Sequence, residues 1–269
     1  MALITIDDIE RLSPVFRDAK GHRLAERLMR LTGIDRLSEI YGRHEDLTGS
    51  EFISAFLEDL GVSYRVNGIE KLDSVVKGPF ITISNHPFGA LDGLILMDLF
   101  GHLREDYKVM ANQFLSIART IADNLISVVP ATDDSRGVAK ESLSGIRQAL
   151  AHVRAGHPLG IFPAGAVSDF HFRGFSVRDR EWQPSALRLI KRLQVPVVPV
   201  RFLDKNSLFF YFLGLFSWKI RTLRLPKEIL NKAGKTVQLS VGDAIGVETQ
   251  NQCPDEWYGA MLRKTVYQL

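Results

Sequence analysis

His86 and Asp92 are two residues whose types and spacing could carry out proton-transfer chemistry. Both lie in the segment 81–93, where an apolar run leads into a turn with Pro87 and Gly89 and then into leucines at helical spacing. Inside one helix, six residues at roughly 100° each would point the two side chains to different sides, so contact requires the turn. A neutral imidazole can take a proton from a hydroxyl while a carboxylate on its other nitrogen fixes the tautomer. This chemistry needs no cofactor.

The same pair has a simpler interpretation, in which His86 caps the turn and Asp92 is an ordinary acidic residue at a helix start. For a pair considered alone, that structural interpretation is favoured. Two later segments favour the catalytic interpretation instead. Residues 160–168 form a short apolar strand that ends in proline and glycine, and residues 195–200 form a valine-proline strand after a helical run. Open α/β sheets place their sites where such strands end.

The elements that must position these segments alternate between strand and helix. Strands are predicted at residues 62–66, 107–111, 126–129 and 236–241, in addition to the three above. Helices are predicted from about Leu91, over residues 138–153 and 185–193, and from Pro254 onward. This alternation predicts an α/β fold with a largely parallel mixed sheet flanked by helices.

A helical region is predicted to precede the sheet. Its start signals are Asp7-Asp8 and Thr48-Gly49-Ser50, and its predicted breaks are Gly21, Gly33 and Gly42. The predicted organisation is therefore a helical amino-terminal region over residues 1–61 and an α/β domain over residues 62–269.

The order and separation of these segments resemble those of the lysophospholipid acyltransferase family, the relatives of 1-acylglycerol-3-phosphate acyltransferase. In that family an Asn-His-x4-Asp block carries the catalytic dyad, a Phe-Pro-Glu-Gly-x-x-Ser block helps to hold the acceptor, and a Val-Pro-rich block ends a core strand. The resemblance implies a glycerolipid acyltransferase-like fold, with His86 and Asp92 as the catalytic residues. Pro196 and Pro199 match the third block. The other positions implied to contact substrate are Asn85, Gly89, Phe162, Pro163, Gly165 and Ser168.

Two departures separate this chain from the usual pattern of the family. Five residues stand between His86 and Asp92 instead of four, and Ala164 replaces the family's glutamate. Both features are similar to the branch called hemolysin-like or lyso-ornithine-lipid acyltransferase, which has the patterns Asn-His-Pro-x-Gly-x-x-Asp-Gly and Phe-Pro-x-Gly-x-Val-Ser. That branch implies a lyso-amino-acid lipid hydroxyl, such as that of lyso-ornithine lipid, as the acceptor. A lysophospholipid is the alternative.

Several polar residues beyond the predicted strands are candidates for substrate contacts. The resemblance implies a cationic contact near these loops, for which Arg136 and Arg178 are selected, because arginine binds phosphate or carboxylate through paired donors. As the alternative, such arginines are solvated or pair with an acid such as Asp179 or Glu181. Asn112 follows a strand and either contacts substrate or caps a helix.

Composition restricts the class of protein. With 269 residues, 45% hydrophobic content and a net charge of +3, the chain can bury one large domain and is not basic enough to indicate a nucleic-acid partner. The single cysteine, Cys253, cannot form an internal disulfide, and no cysteine-histidine cluster has metal-ligand spacing, so no metal site is expected. The first residues lack a signal-peptide pattern. We therefore expect a cytoplasmic protein, peripheral on the inner face of the cytoplasmic membrane.

The most apolar stretch, residues 207–218, has two interpretations. It is short of the roughly 20 residues needed to span a bilayer. Its aromatic residues, followed by Lys219, Arg221 and Arg224, fit a helix that lies at the membrane interface. A buried core helix with a solvated basic end fits equally well.

The predicted activity is acyl transfer. His86 takes the proton of a lysolipid hydroxyl as that oxygen attacks an acyl thioester, supplied by acyl carrier protein or coenzyme A, and Asp92 holds His86. Backbone amides of residues 162–166 would stabilise the oxyanion. Two alternatives stay open, a membrane-binding protein that has lost catalysis and a lipid ester hydrolase. No serine or cysteine elbow motif supports covalent hydrolysis.

Overall fold

Strands and helices alternate along the chain. The computed structural model describes residues 18–112, 115, 117–128 and 140–269, and all elements below refer to this part. The strands are β1 Ser63–Asn67, β2 Ile81–Ser84, β3 Lys108–Asn112, β4 Leu125–Val128, β5 Leu159–Ile161, β6 Asp169–His171, β7 Ser176–Arg178, β8 Val197–Phe202 and β9 Thr236–Val241. The helices are α1 Ala19–Thr32, α2 Ile34–Arg43, α3 Gly49–Leu60, α4 Ala90–Leu103, α5 Lys140–Arg154, α6 Pro184–Leu193, α7 Leu208–Phe216, α8 Trp218–Leu223, α9 Leu225–Leu230, α10 Val247–Gln252 and α11 Asp255–Tyr267.

Seven strands of the described chain form one mixed sheet in the order β1-β9-β8-β2-β5-β3-β4. The five strands from β8 to β4 in this order run parallel, whereas β9 runs antiparallel to β8 and β1 runs parallel to β9. β6 and β7 pair separately as an antiparallel hairpin. The prediction of a largely parallel mixed sheet flanked by helices is confirmed. Because five strands share a direction, their carboxyl ends lie at the same edge.

Helices α1 to α3 confirm the prediction of a helical amino-terminal region. Gly33 ends α1 in the left-handed conformation, as predicted. The breaks predicted at Gly21 and Gly42 are wrong, because both lie inside helices and neither has a positive φ. Asp18 caps α1 by accepting a hydrogen bond from the Gly21 N–H, which places this glycine in the first turn. The start signal predicted at residues 7–8 lies outside the described residues.

The core consists of two apolar clusters on opposite faces of the sheet. Alternate residues of β8 separate them, since Val198 belongs to the first cluster and Val197 to the second. Leu37 of α2 and Phe52 of α3 belong to the same cluster as strand residues of β8 and β9. The helical region thus packs directly on the sheet. The domain boundary at residue 61 stays a prediction.

A proline lies inside the central strand β8, although the sequence favoured a strand that its prolines interrupt. Pro199 pairs with Ile83 in the parallel ladder. Its carbonyl accepts a hydrogen bond from the Gly242 N–H, at 2.8 Å. In a strand the nitrogen and the carbonyl of one residue point to the same side, so the ring nitrogen of Pro199 also faces Gly242. Gly242 lies just past the end of β9, where the strand ladder requires no N–H donor.

Candidate active site

The turn between β2 and α4 brings His86 and Asp92 together. Asp92 is the third residue of α4, and its Oδ2 lies 2.9 Å from Nδ1 of His86. The same oxygen accepts hydrogen bonds from the N–H groups of Phe88, at 2.9 Å, and Gly89, at 3.1 Å. The Asp92 side chain is fully buried, whereas the His86 side chain keeps 18% of its surface exposed. The carboxylate thus holds both the turn and the imidazole.

The buried carboxyl of Asp92 dominates the electrostatics of this pair. Burial raises the pKa of the Asp92 carboxyl, and His86 and the two N–H groups oppose that rise. The 2.9 Å contact between His86 Nδ1 and Asp92 Oδ2 does not meet the geometry of a hydrogen bond, and Asp92 Oδ1 has no hydrogen-bond partner among the described residues. Because Nδ1 is buried against the acid, Nε2 is the ring nitrogen available to a substrate.

The loop after β5 lies against His86, because β5 is the neighbour of β2 in the sheet. The ring of Phe162 contacts the imidazole, with centroids 4.2 Å apart. The Gly165 N–H donates to the Phe162 carbonyl at 3.0 Å, and Gly165 has a φ of 62°. A Cβ at Gly165 would lie 2.3 Å from Nε2 of Gln183. Because of this positive φ and this close approach, glycine is required at position 165. Pro163, two residues earlier, is buried, and its carbonyl accepts a hydrogen bond from the Gln183 N–H.

Asp179 joins the two loops, a role that the sequence does not indicate, since there it is only a partner for an arginine. Its Oδ1 accepts hydrogen bonds from the His86 N–H, at 3.1 Å, and from Ser168 Oγ, at 2.6 Å. Its Oδ2 accepts from Nε1 of Trp182 at 3.2 Å. The Ser168 N–H also donates to the His86 carbonyl at 2.9 Å. Asp179 is fully buried, so it acts as a positioning residue for the backbone of His86.

A buried arginine, also missed as a site residue, supports the same loop from α8. Arg221 is 5% exposed, and its Nη1 donates to the Ser168 carbonyl at 3.3 Å. Nη1 also pairs with the carboxylate of Asp169, which pairs with Arg180 through its second oxygen. Arg221 therefore connects α8 to the loop beside His86.

The other predicted site residues have varied surroundings. The Asn85 side-chain amide makes two hydrogen bonds with the Phe202 backbone, at 2.9 and 2.8 Å, and so joins the ends of β2 and β8. Asn112 ends β3 at the same edge of the sheet as His86. Arg178 is exposed at the end of β7. Arg136 lies outside the described residues, and the substrate contacts of all four stay predictions.

Gly89→Ala is expected to lower both stability and activity. Gly89 has a φ of 89°, and a Cβ there would lie 3.1 Å from Cδ2 of Leu225 and 3.3 Å from Cγ2 of Val167. The backbone strain costs about 1–3 kcal/mol of unfolding free energy, which urea denaturation would measure. The turn that pairs His86 with Asp92 should shift as well.

Gly156→Ala is the matched control for this variant. Gly156 has a φ of 97° with open space around its Cβ position, and it precedes β5, away from the edge with His86. It should lose similar stability but keep full turnover. Wild-type stability and turnover in Gly89→Ala would contradict the role given to this turn.

Comparison with known proteins places the chain in a family. A sequence profile for the family described as Acyltransferase matches residues 12–268, so the chain belongs to that family and is an acyltransferase. The resemblance noted from the sequence motifs is confirmed.

Two relatives carry the name lyso-glycine lipid O-acyltransferase. The protein from Phocaeicola vulgatus is 27% identical over 244 residues, which cover 87% of this chain and 83% of the relative. The protein from Bacteroides thetaiotaomicron is 27% identical over 253 residues, which cover 90% of this chain and 88% of the relative.

A solved structure has the same fold. It is the crystal structure of the 1-acyl-sn-glycerophosphate (LPA) acyltransferase PlsC from Thermotoga maritima, with a TM-score of 0.54 and 16% identity over 95% of this chain and 88% of PlsC. At this identity the likeness concerns the fold alone.

Proposed function

We propose that this acyltransferase moves a fatty acyl group from an acyl thioester to the hydroxyl of a lysolipid, with His86 as the general base. The observation that carries the proposal is the 2.9 Å contact between His86 Nδ1 and the buried carboxylate of Asp92. This arrangement leaves Nε2 free to take a proton, and it supplies a negative charge that stabilises the imidazolium once the proton has moved.

The proposed reaction forms a carbon–oxygen bond, breaks a carbon–sulfur bond and moves one proton from the hydroxyl to the leaving thiolate. The hydroxyl oxygen of the acceptor attacks the thioester carbonyl carbon while its proton passes to His86 Nε2. The carbon–sulfur bond then breaks, and the imidazolium returns the proton to the thiolate that leaves. The oxyanion of the intermediate needs donors. Backbone amides of residues 162–166 are the proposed donors, except that of Gly165, which is engaged by the Phe162 carbonyl, and Pro163, which has no N–H.

The proposed acceptor is a lyso-amino-acid lipid, such as lyso-glycine or lyso-ornithine lipid. Support comes from the names of the two relatives and from Ala164, which stands where lysophosphatidate-using members have glutamate. Ala164 is 3% exposed within the second apolar cluster, so a carboxylate at this position would be buried and would require a partner. Arg178 and Asn112 are proposed to contact the charged groups of the substrates.

The proposed donor is an acyl carrier protein or coenzyme A thioester, and the proposed location is the inner face of the cytoplasmic membrane. A basic chain, with pI ≈ 9.0, suits both an anionic leaflet and the phosphates of either donor.

Mass spectrometry of diacyl products tests the proposed function. Purified protein would be incubated with each thioester and, separately, with lyso-glycine lipid, lyso-ornithine lipid and lysophosphatidate. Diacyl product with an amino-acid lipid and little with lysophosphatidate is expected. Free fatty acid without diacyl product would indicate the hydrolase alternative, and no turnover with any pair would favour a membrane-binding protein that has lost catalysis.

A further inference from the structure

Helices α7 and α8 expose a row of large apolar side chains. Phe210 and Tyr211 of α7 are buried, so the core interpretation of this segment holds for one face only. The opposite face is open to solvent. Its residues, which we call the apolar patch, are 51% to 75% exposed and comprise Leu208, Phe209, Phe212, Phe216, Trp218 and Leu223. Monomeric soluble proteins rarely expose such a large group of apolar side chains unless the surface binds a partner.

Basic residues predominate in the segment that carries the apolar patch. Residues 205–227 contain five basic residues and no acidic residue. Two of the five are paired with acids outside this segment, Arg221 with Asp169 and Arg224 with Glu228. The guanidinium of Arg224 lies 4.7 Å from the ring centre of Phe209, and Nζ of Lys219 lies 5.8 Å from that of Trp218. Aromatic rings with cations beside them match the boundary between acyl chains and anionic headgroups.

The β6–β7 hairpin extends this surface, because β6 packs against α7. Phe172 is 65% and Phe175 is 83% exposed at its tip, with the exposed Arg173 between them. Phe175 has a φ of 44°, a conformation that favours glycine or asparagine. In water an exposed phenylalanine in a strained conformation contributes no stability to the fold. Insertion of its ring into lipid would bury the ring.

Residues next to the apolar patch contact the site. Arg221 lies between patch residues in the sequence, and its side chain turns inward to the Ser168 carbonyl in the loop that joins His86. Leu225, at the start of α9, lies beside the Gly89 turn. These contacts place α8 and α9 against the loops that hold His86.

We propose that the apolar patch and the hairpin tip form the docking surface for an anionic lipid bilayer, which delivers the lysolipid to His86. The inference rests on the proposed function for the nature of the acceptor. Within the described residues no helix is long and apolar enough to cross a membrane, and α7, with nine residues, is about 13.5 Å long. The contact is therefore with the surface of the bilayer.

Vesicle co-sedimentation tests the docking surface. The wild type should bind phosphatidylcholine vesicles that contain phosphatidylglycerol, more strongly than phosphatidylcholine alone, and less at high salt. The double variant Phe216→Ser/Trp218→Ser should bind roughly tenfold or more weakly, because two large apolar side chains no longer leave water.

The double variant Leu143→Ser/Trp257→Ser is the matched control. Leu143 is 44% and Trp257 is 62% exposed, and they lie on α5 and α11. It should bind vesicles as the wild type does. Circular dichroism would check that all variants are folded. Lys219→Glu, which leaves every apolar side chain in place, should lower binding only when phosphatidylglycerol is present.

Wild-type protein that does not sediment with these vesicles, or equal binding by the patch and control variants, would overturn the inference. A change from dimer to monomer in the patch variant, with vesicle binding unchanged, would do the same and assign the surface to a second copy of the chain. Sedimentation requires no turnover, and His86→Ala should bind vesicles normally. The result is thus separate from the success or failure of the proposed acyl transfer.

Discussion

His86→Ala is expected to lower the kcat of acyl transfer by roughly 10²–10⁴-fold, the range for loss of a positioned general base. Among the described residues no second base is positioned at this turn, because Asp92 is fully buried and its Oδ2 is held by two N–H groups of the turn and by Nδ1 of His86. The imidazole also contacts Phe162, so alanine leaves a gap beside this ring and removes the contact with Asp92. The KM for either substrate should change much less than kcat.

Steady-state kinetics with a chromogenic thiol assay would measure this effect. The control is His102→Ala, since His102 lies on α4 with 56% of its side chain exposed. That variant should keep wild-type kcat. Turnover of His86→Ala within a few-fold of the wild type would show that another group takes the proton.

Asp179→Ala is expected to lower the free energy of unfolding by about 3–5 kcal/mol. Its carboxylate accepts three hydrogen bonds, from the His86 N–H, Ser168 Oγ and Trp182 Nε1. Alanine would leave these donors unsatisfied in a buried place, and each costs about 1–3 kcal/mol. Since one of them belongs to the backbone of His86, turnover of the folded fraction should fall as well.

Urea denaturation, with stability extrapolated to water, measures the loss. Asp179→Asn, which keeps an acceptor oxygen at nearly the same volume, should lose less than the alanine variant. The control is Asp243→Ala, because Asp243 is 87% exposed and pairs with Lys71 at 3.2 Å. Exposed pairs of this kind contribute roughly 0–1 kcal/mol. Equal stability of Asp179→Ala and Asp243→Ala would contradict the positioning role.

The close contact of His86 with Asp92 was predictable because it is local. Proline and glycine mark the turn, and the leucines that follow mark the helix, so seven residues carry the whole arrangement. The sheet was predictable for a similar reason, since each strand has its own apolar run and the alternation with helices implies parallel pairing. The predictions of Gly21 and Gly42 as breaks failed because a cap and the surrounding helix outweigh the low propensity of a single glycine.

The remaining parts of the site depend on contacts between distant residues. Asp179 lies 93 residues from His86, and nothing beside it in the sequence indicates that it accepts a backbone N–H. Asn85 meets its Phe202 partner across 117 residues. The two interpretations of residues 207–218 place the following cations either at the membrane interface or in solvent, but Arg221 is 5% exposed and donates to the Ser168 carbonyl. The packing of β2, β8, α8 and the segment after β7 determines these contacts.

The central claim, that His86 and Asp92 act as one unit, is tested most directly by a double-mutant cycle in kcat/KM. Asp92→Asn keeps an acceptor for the N–H groups of Phe88 and Gly89 but removes the charge beside the imidazole. A hydrogen bond to a charged group contributes about 1.5–3 kcal/mol, so the single variant should lose roughly 10- to 100-fold.

In the His86→Ala background the same substitution should cost less than about threefold, because no imidazolium remains for the carboxylate to stabilise. That result would show that the two residues work together. Equal losses from Asp92→Asn with and without His86 would contradict the account, since Asp92 would then act on catalysis independently of the histidine.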